Sequence, residues 1–482
     1  MDTTRYAQRR SEFMEHLGDM IAIVPAGREQ TRNDDVDHDF RQNSDFFFLT
    51  GFTEPDAIAV FDPSHDTEQY TLFVRPRDPE SESWFGRRVG SEGVRERFGA
   101  DAGYTIDDFD EWLRRRLRGR ADAAYSLGNA LDSRVLAALN AARAHAHRVG
   151  VTVPDRLIDL TAILHEMRLI KSDGEIAAIR EASRISAIAH TEAMRYAAPG
   201  RTERQVQAAL EYVFAAMGSE RVGYGSIVAG GENAVILHYI ENDMILNDGD
   251  LLLIDAAAEY RHLTADITRT FPVNGEFSTP QRTIYDIVLE AERRVIQMCA
   301  PGVPYTDMHT LAVEVLSEGL VDIGLVPGPV DEVIEKGWYR NFFFHGTGHW
   351  LGIDVHDAGA YRIDGEGRPL EAGMVFTVEP GIYVAPEKST ITLSDAPYDA
   401  DEALRLTYEL GSARANIELA KRRDEAGSTT FDVPWEFLGI GIRIEDDILV
   451  TSNGVENMSS EAPVDPDAIE AVCAEDSALP IF

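Results

Sequence analysis

Apolar and polar residues alternate over short distances in the first 165 residues, and this pattern predicts a mixed α/β region. Four apolar stretches predict strands: MIAIVPAG (20–27), DFFFLTGF (45–52), AIAVFDP (57–63) and YTLFV (70–74). Two amphipathic stretches predict helices: DDFDEWLRRRLRG (107–119) and SRVLAALNAARAHAHRV (133–149). We therefore expect residues 1–168 to form an α/β N-terminal domain.

Beyond residue 168 the apolar period becomes that of long helices with recognisable ends. Three of these helices begin with a cap pattern: Ser172 with Glu175, Thr202 with Gln205, and Thr279 followed by Pro280. The order helix, Ala-Pro-Gly, helix, strands occurs twice between residues 171 and 450. This order indicates an internal duplication whose halves face each other across a shared sheet, with chance repetition as the alternative.

Composition changes this picture little, because the profile is that of a water-soluble globular protein. With 482 residues, two domains are expected. Hydrophobic residues make up 44% and charged residues 27%, and no apolar run is long enough to span a bilayer. The N-terminal stretch is polar and lacks the apolar centre of a secretion signal, and Cys299 and Cys473 form no CxxC pattern. These features predict a cytoplasmic protein without a disulfide framework or a thiolate metal site.

The charge is strongly acidic, since 83 acidic residues face 45 basic ones and the net charge is −38. Such a charge repels nucleic acid and anionic membranes, which excludes them as primary partners. Only four of the basic residues are lysines: Lys171, Lys336, Lys388 and Lys421. Two interpretations stay open, a solvated acidic surface that favours solubility and an adaptation to a salty cytoplasm that screens self-repulsion.

Four carboxylates occur where apolar strands end. In LLLIDAAAEYRHLTADITRTF, Asp255 closes a strand and Asp266 follows after a turn that would bring the two side by side. In MVFTVEPG, Glu379 directly precedes Pro380, and in GIGIRIEDDILV, Glu445 shares one strand face with Arg443. Each residue alone is most simply a cap or an ion-pair partner, but a buried carboxylate needs a compensating positive charge.

Three histidines lie close together in FFFHGTGHWLGIDVHD: His345, His349 and His356. Gly346 and Gly348 make a helix improbable, so His345 and His349 are not the paired ligands of an HExxH zinc helix. A strand interrupted by glycines, with both histidines on one face, fits better. A strand histidine is commonly a satisfied polar group, but four nearby carboxylates favour a ligand.

Together the sequence predicts a centre for two divalent cations. The proposed ligands are four carboxylates and one imidazole: Asp255, Asp266, His349, Glu379 and Glu445. Oxygen ligands with a single nitrogen suit Mn²⁺, Zn²⁺ or Co²⁺ and argue against copper or iron–sulfur chemistry. Of the three ions we expect Mn²⁺. Two such ions would generate a hydroxide at neutral pH and stabilise an oxyanion.

On these residues the sequence resembles the proline-specific aminopeptidases P and prolidases, metallopeptidases of the pita-bread fold that also includes methionine aminopeptidase. The resemblance rests on ILHYIEN, HGTGHWLGIDVHD, MVFTVEPGIY and GIGIRIEDD, and on the Asp255 segment. FRQNSDFFFLTGFTEPDA, WFGRRVG and LHEMRLIKS favour the aminopeptidase P branch. The resemblance implies that residues 169–482 form an α+β pita-bread catalytic domain with an internal pseudo-twofold repeat.

The resemblance also implies roles for individual residues. Asp255 would bind one metal, Asp266 and Glu445 would bridge both, and His349 and Glu379 would complete the second site. His238 and His356 match substrate-side histidines, which gives them both catalytic and substrate-binding roles. His345 matches a position behind the ligands, Arg443 an arginine that orients them, and Tyr383 its hydrogen-bonding partner on the substrate side.

One segment departs from the family pattern, an insertion at about residues 388–434. Within it, DADEALRLTYELGSARANIELAKRRDEAG predicts a charged helix with a thin apolar stripe. The simpler interpretation is a surface excursion, and the alternative is a lid or subunit contact near the site.

The predicted activity is hydrolysis of the bond between an N-terminal residue and a following proline in oligopeptides. A metal-bridging hydroxide would attack the carbonyl, and Glu379 would carry the proton to the leaving nitrogen. A prolidase restricted to Xaa-Pro dipeptides is the nearest alternative. A methionine aminopeptidase, a metal-free amidinohydrolase and a non-catalytic peptide-binding module are more distant ones. Family members commonly self-associate through the N-terminal domain, so a homo-oligomer, a dimer or tetramer, is expected.

Overall fold

The computed structural model describes residues 3–144 and 146–479. By their internal contacts the residues fall into two compact units, Met1–Arg168 and Leu169–Phe482. Over the described ranges, every helix is too short or too polar to span a lipid bilayer. Cys299 and Cys473 are both free thiols.

The first unit is built on a six-stranded sheet of order β6-β5-β4-β1-β7-β8. Its elements are α1 Thr3–Leu17, β1 Ile21–Pro25, β2 Thr31–Asn33, β3 Val36–Asp37, α2 Ser44–Thr50, β4 Ile58–Phe61, β5 Tyr70–Val74, α3 Pro79–Phe85, α4 Gly90–Phe98, β6 Ala102–Thr105, α5 Phe109–Arg116, β7 Asp122–Ala124, α6 Asp132–Arg143, α7 Ala146–Val149, β8 Arg156–Ile158 and α8 Thr161–Leu169. β4 runs antiparallel to both neighbours, whereas β1–β7, β5–β6 and β7–β8 are parallel pairs. β4 and β5 are buried throughout, which explains their continuous apolar sequences.

Two sequence predictions in this unit are wrong. The stretch DFFFLTGF forms helix α2 instead of a strand, because both helix ends are satisfied locally. The Asn43 side chain accepts the Phe46 N–H at 2.9 Å, and Gly51, at φ 63°, closes the helix in the left-handed region. The expected single helix over residues 133–149 is instead α6 and α7, and His145 between them lies outside the described residues.

The second unit contains the remaining helices and strands. They are α9 Asp173–Tyr196, α10 Glu203–Ala216, β9 Arg221–Val222, β10 Ile227–Gly230, β11 Leu251–Asp255, β12 Ala258–Tyr260, β13 Leu263–Thr264, β14 Thr268–Pro272, α11 Thr279–Met298, α12 Tyr305–Asp322, α13 Val330–Glu335, β15 Arg362–Ile363, β16 Glu366–Gly367, β17 Val375–Val378, β18 Gly381–Val384, β19 Thr390–Ser394, α14 Ala400–Leu410, α15 Ser412–Ala426, β20 Ser428–Asp432, β21 Ile440–Arg443, β22 Asp446–Thr451, β23 Gly454–Asn457 and α16 Pro466–Cys473.

The two halves of this unit repeat one order of elements, as the sequence predicts. The helix pair α9–α10 precedes the sheet β10-β11-β14, and the pair α11–α12 precedes the sheets β17-β22-β23 and β18-β21. One large apolar core joins residues from both halves, including Ile254 and Ile442. This shared core holds the strand ends of the two halves against each other.

The helix caps follow the sequence closely. Ser172 with Glu175, and Thr202 with Gln205, form the predicted capping boxes of α9 and α10. At α11 the predicted Thr279 cap is wrong by one position, because Ser278 is the cap residue and pairs with Gln281. In such a box the serine hydroxyl accepts the backbone N–H of the glutamine three residues on, and the glutamine side chain accepts the backbone N–H of the serine.

The segment 388–434 forms a β-hairpin that carries two helices. β19 and β20 pair antiparallel from Thr390↔Asp432 to Ser394↔Ser428, and α14 and α15 lie between them. The predicted single helix is wrong, because Gly411 at φ 78° separates the two helices. The predicted thin apolar stripe corresponds to Leu406 and Ala415, which are buried side chains of the helix pair.

Candidate metal centre

A cavity of about 500 Å³ in the second unit collects nine of the sequence-predicted residues. They are His238, Asp255, Asp266, His345, His349, His356, Glu379, Arg443 and Glu445. The tenth, Tyr383, lies directly behind them, since its hydroxyl contacts His345 Nε2 at 2.9 Å and Arg443 Nη1 at 3.1 Å. Residues separated by two hundred positions in sequence therefore meet at one place.

The β11–β14 pair supplies the first two carboxylates. Asp255 ends β11 opposite Thr268 of β14, and Asp266 precedes β14 after a turn formed by Arg261 and His262 at φ 53° and 65°. The Tyr224 hydroxyl lies 2.6 Å from Asp255 Oδ1 and 2.5 Å from Asp266 Oδ1. Because a hydroxyl carries one hydrogen, it can satisfy only one of these two oxygens. The other oxygen needs a further positive partner.

The other two carboxylates lie where strands of the second half end. Glu379 follows β17, and Glu445 lies between β21 and β22. The expected single strand through Glu445 is wrong. The chain changes partner there, from β18 to β17, and Glu445 forms an isolated bridge with Thr268. The Thr268 hydroxyl donates to Glu445 Oε2 at 2.7 Å, which fixes that carboxylate toward the cavity.

Arg443 connects the two halves of the site. Its Nη2 contacts Asp255 Oδ2 at 2.5 Å, and its Nε donates to the Thr268 hydroxyl at 3.1 Å. It is the one arginine or lysine among the residues that line the cavity. One guanidinium therefore faces four carboxylates.

The histidine segment is not the predicted glycine-interrupted strand. Residues 343–349 form an irregular segment that is tied to β17 and its end by separate hydrogen bonds. Thr377 N–H donates to the His349 carbonyl at 2.9 Å, and Glu379 N–H donates to the Thr347 carbonyl at 2.8 Å. A Cβ on Gly348 would lie 1.9 Å from the Thr377 carbonyl oxygen, so only glycine permits this approach. The irregular path still directs both His345 and His349 into the cavity.

Hydrogen bonds fix the orientation of both imidazoles. His349 Nδ1 lies 3.1 Å from the Trp350 carbonyl, which can only accept, so Nδ1 carries the hydrogen. His349 Nε2 then faces Asp266 Oδ2 at 3.3 Å and Glu379 Oε1 at 3.8 Å. His345 Nδ1 likewise donates to the Gly346 carbonyl at 2.7 Å, leaving Nε2 to accept from Tyr383. This orientation presents Nε2 of His349 as a metal ligand, whereas Nε2 of His345 is bound to the Tyr383 hydroxyl.

The electrostatics of the cavity favour a bound cation. Burial raises the pKa of Glu379 to about 7. Burial and the Asp266 carboxylate raise the pKa of Asp255, although Arg443 acts in the opposite direction. The pKa of Glu445 is raised well above its usual value by burial and by the nearby Asp266 and Glu379 carboxylates. Burial opposes the charged form of His349, but the Asp266 carboxylate outweighs it and raises the pKa of His349 to about 9. The raised pKa values show that the carboxylates of this cavity lack enough nearby positive charge, so they retain protons when no cation is bound.

The ligand atoms are close enough for a metal ion. One atom each from Asp266, His349 and Glu445 lies within 4.8 Å of the others, and Asp255 and Glu379 flank this group in the same cavity. A divalent cation fits this group, because its donors are mostly oxygen with one nitrogen. One carboxylate oxygen beside Tyr224 lacks a donor, and Nε2 of His349 faces the carboxylates. Glu220, Glu259 and His262 form another such group, but none lines the cavity, and Glu259 forms an ion pair with Arg221.

His356 and His238 approach the cavity on separate segments. The rings of His356 and His349 lie 4.3 Å apart and nearly perpendicular, and burial lowers the pKa of His356, so it is neutral at pH 7. The next residue, Asp357, forms a buried ion pair with Lys171 at 2.9 Å. His238 lies on the segment 230–244, and the buried Glu203 carboxylate accepts hydrogen bonds from several residues of that segment.

Several residues that build the site were missed by the sequence analysis. Glu203 accepts hydrogen bonds from Gly230 N–H at 2.7 Å, Tyr239 Oη at 2.8 Å and Met244 N–H at 3.0 Å. Tyr224 and Thr268 bind the carboxylates, and His309 contacts the Thr347 hydroxyl at 2.9 Å. The two glycines beside Tyr224 were the one local sign of a special position.

Comparison with known proteins places this geometry in a family. The description of metallopeptidase family M24 matches residues 177–452, and that of the aminopeptidase P N-terminal domain matches residues 6–125. The Xaa-Pro aminopeptidase of Escherichia coli (strain K12) is 38% identical over 474 residues, 97% of each chain. Xaa-Pro aminopeptidase 1 of Streptomyces coelicolor is 34% identical over 96% of this chain and 86% of its own.

Solved structures agree with this over nearly the whole chain. The aminopeptidase of Pseudomonas aeruginosa superposes with a TM-score of 0.87 at 41% identity, covering 98% of both chains. A variant of Escherichia coli aminopeptidase P in complex with substrate gives a TM-score of 0.85 at 38% identity, again covering 98% of both. The predicted α/β domain followed by a pita-bread catalytic domain is thereby confirmed. The chain belongs to metallopeptidase family M24 and carries the N-terminal domain of aminopeptidase P.

Proposed function

We propose that the chain is an Xaa-Pro aminopeptidase, which hydrolyses the bond between an N-terminal residue and a following proline in oligopeptides. The observation that carries this proposal is the convergence of four carboxylates and His349 in one cavity with a single compensating guanidinium. Full-length relatives named Xaa-Pro aminopeptidase support the choice of substrate.

Two divalent cations, with Mn²⁺ preferred over Zn²⁺ or Co²⁺, would be held by five side chains: Asp255, Asp266, His349, Glu379 and Glu445. When bound, such ions provide a nucleophile at neutral pH and polarise the scissile carbonyl. The protein contributes oriented ligands, because Tyr224, Thr268 and Arg443 each hold one or more of the carboxylates.

Glu379 is the residue we assign to proton transfer. Its side chain is 18% exposed, compared with 12% for Asp255 and 7% for Asp266, so it has the best access to water. It would take a proton from the attacking water and deliver it to the proline nitrogen.

His356 and His238 would bind the substrate carbonyl and the proline side of the cavity. A neutral imidazole can donate a hydrogen bond to a developing oxyanion, which is the role we assign to His356. Tyr383 would border the substrate, and His345 and Arg443 would keep the ligands oriented through their contacts with Tyr383 and Asp255.

The proposal extends to the organisation of the protein. We infer an N-terminal domain at residues 1–168 and a catalytic domain at 169–482 with an insertion at about 388–434. We further propose a homo-oligomer, a dimer or tetramer, located in the cytoplasm. The two compact units support the domain boundary.

The activity is tested with peptides of matched sequence. Purified protein loaded in turn with Mn²⁺, Co²⁺ and Zn²⁺ should cleave Xaa-Pro-Yaa tripeptides and leave Xaa-Ala-Yaa intact. Cleavage of Xaa-Pro dipeptides alone would indicate a prolidase instead, and no cleavage in protein that retains its metal would contradict the proposal.

The role of Glu379 is tested by Glu379→Gln. The amide keeps one oxygen for a cation but cannot carry the proton, so kcat should fall by at least about a thousandfold. Metal content, measured on the same sample, separates loss of the proton carrier from loss of the ions. Substantial turnover by the metal-loaded variant would remove Glu379 from this role.

A further inference from the structure

A second cavity lies next to the metal centre, behind Tyr383. It measures about 390 Å³, and its walls include Val235, Asn341, Phe344, Tyr383, Lys388 and Thr390. The Tyr383 hydroxyl contacts His345 and Arg443, which both line the metal cavity. Tyr383 therefore borders the second cavity and contacts the wall of the metal cavity.

Two other residues of the second cavity are close in sequence to residues of the metal cavity. Val235 lies three residues before His238, and Phe344 directly precedes His345. The Phe344 and Tyr383 rings lie 5.6 Å apart, and Phe344 is 42% exposed although it is large and apolar. A substrate that leaves the metal cavity past His345 would meet these two rings.

Lys388 is the cation of this second cavity, and its environment differs from that of the other lysines. Lys171, Lys336 and Lys421 each have a carboxylate within 4.0 Å. Over the described residues, no carboxylate lies within that distance of Lys388 Nζ. It donates to the Asn341 carbonyl at 2.6 Å and lies 5.5 Å from the Phe342 ring centre. An ammonium group has three donors, so two stay free for a ligand.

A half-buried ammonium group without a carboxylate is unusual in a chain with 83 acidic and 45 basic residues. Burial lowers the pKa of Lys388, because the charged ammonium group is less well solvated there than in water. Glu387 also lines the cavity and is exposed, and its carboxylate raises the pKa of Lys388 without outweighing burial. Val235, Phe344 and the Tyr383 ring give this cavity an apolar side next to the Lys388 ammonium group, and the rest of its wall is polar. That side suits a ligand with an apolar group and one negative group.

We propose that this cavity receives the residue after proline and that Lys388 binds the C-terminal carboxylate of tripeptide substrates. The inference rests on the proposed function. An extended chain advances about 3.3–3.6 Å per residue, so a tripeptide carboxylate lies about 7 Å beyond the scissile bond. A dipeptide carboxylate lies one residue nearer and stays in the metal cavity.

The test compares Xaa-Pro-Yaa as free acid, the same peptide as C-terminal amide, and the Xaa-Pro dipeptide. The unmodified enzyme should show a lower KM for the acid than for the amide. Lys388→Gln should raise KM for the acid by about tenfold, the effect of losing one charge-assisted hydrogen bond, with kcat nearly unchanged. KM for the amide and the dipeptide should stay the same.

Two control variants separate this role from a structural one. Lys421→Gln removes a lysine of the same segment whose side chain is 65% exposed, and it should change none of the three KM values. Lys388→Arg keeps the charge and should retain most of the preference for the acid. Gln at position 388 can still donate to the Asn341 carbonyl, so the fold should persist, as checked by thermal unfolding.

The outcomes distinguish this inference from the function on which it rests. Equal KM for acid and amide in the unmodified enzyme would overturn the role of Lys388, whether or not the variant folds. Equal losses on acid, amide and dipeptide would overturn it as well. If the metal-loaded enzyme cleaves no Xaa-Pro-Yaa peptide, the proposed function fails together with the inference.

Discussion

At the scale of single residues, the candidate centre depends on neutral side chains that hold the carboxylates in place. The Tyr224 hydroxyl contacts both Asp255 and Asp266, and the Thr268 hydroxyl binds Glu445. Burial and the surrounding carboxylates raise the pKa of Tyr224 well above its usual value, so its hydroxyl stays protonated and acts as a donor. These contacts orient the ligands, and groups behind ligands commonly determine metal affinity.

Tyr224→Phe tests this function of the hydroxyl. The ring is retained, but one hydrogen-bond donor to the carboxylates is lost, so affinity for Mn²⁺ should fall by about 10- to 100-fold. Calorimetric titration of metal-free protein measures this directly. Unchanged affinity would show that the hydroxyl contributes nothing to ligand orientation.

The buried pair of Lys171 and Asp357 provides a test of stability near His356. Both side chains are at most 2% exposed, so removing Lys171 takes the cation away from a buried carboxylate. We expect Lys171→Met to lower the free energy of unfolding by about 3–5 kcal/mol, measured by urea denaturation of metal-free protein.

The double variant Lys171→Met, Asp357→Leu is the matched control for this pair. Because it removes both charges, it should be more stable than Lys171→Met alone. Equal stability of the two variants would mean that the charge pair is not what the single substitution disrupts.

At the scale of elements, the sequence predicts those features that are decided locally. The capping boxes at Ser172 and Thr202 were found because a cap is formed by residues three positions apart. The irregular segment around Gly348 was missed because its shape depends on contact with Thr377, almost thirty positions away. The DFFFLTGF helix was missed because its three phenylalanines are all buried, which removes the helical period from the sequence.

The ligand residues were recognisable for a related reason. Asp255 ends an apolar strand and Glu379 follows one, and a charged side chain in that place stands out in the sequence alone. Tyr224 is marked in the sequence only by its two neighbouring glycines, because its partners are 31 and 42 positions away. Residues that support a ligand from another element are visible only once the chain is folded.

The insertion should be removable without loss of the catalytic unit. Ser394 and Ser428 are paired at the end of the β19–β20 hairpin, so an Asn-Gly turn can join them in place of residues 395–427. Among the side chains of that helix pair whose burial the structure describes, Leu406 and Ala415 are the buried ones, so the remaining protein loses little apolar contact. We expect unchanged metal content and unchanged hydrolysis of the dipeptide and the tripeptide. Loss of activity with metal retained would instead support a lid or a subunit contact.

At the scale of the whole molecule, the net charge of −38 opposes the compact state through self-repulsion. Salt shortens the distance over which charges interact, from about 10 Å at 0.1 M to about 3 Å at 1 M. We therefore expect the free energy of unfolding to rise as NaCl increases from 0.05 to 1 M, with most of the rise below 0.5 M. Urea must be the denaturant because guanidinium is itself a salt, and a sucrose series of equal osmolality controls for solute exclusion. The contrary result is a free energy of unfolding that stays constant below 0.5 M NaCl and rises above it only as much as in sucrose. That result would exclude charge screening and would favour an acidic surface that serves solubility alone.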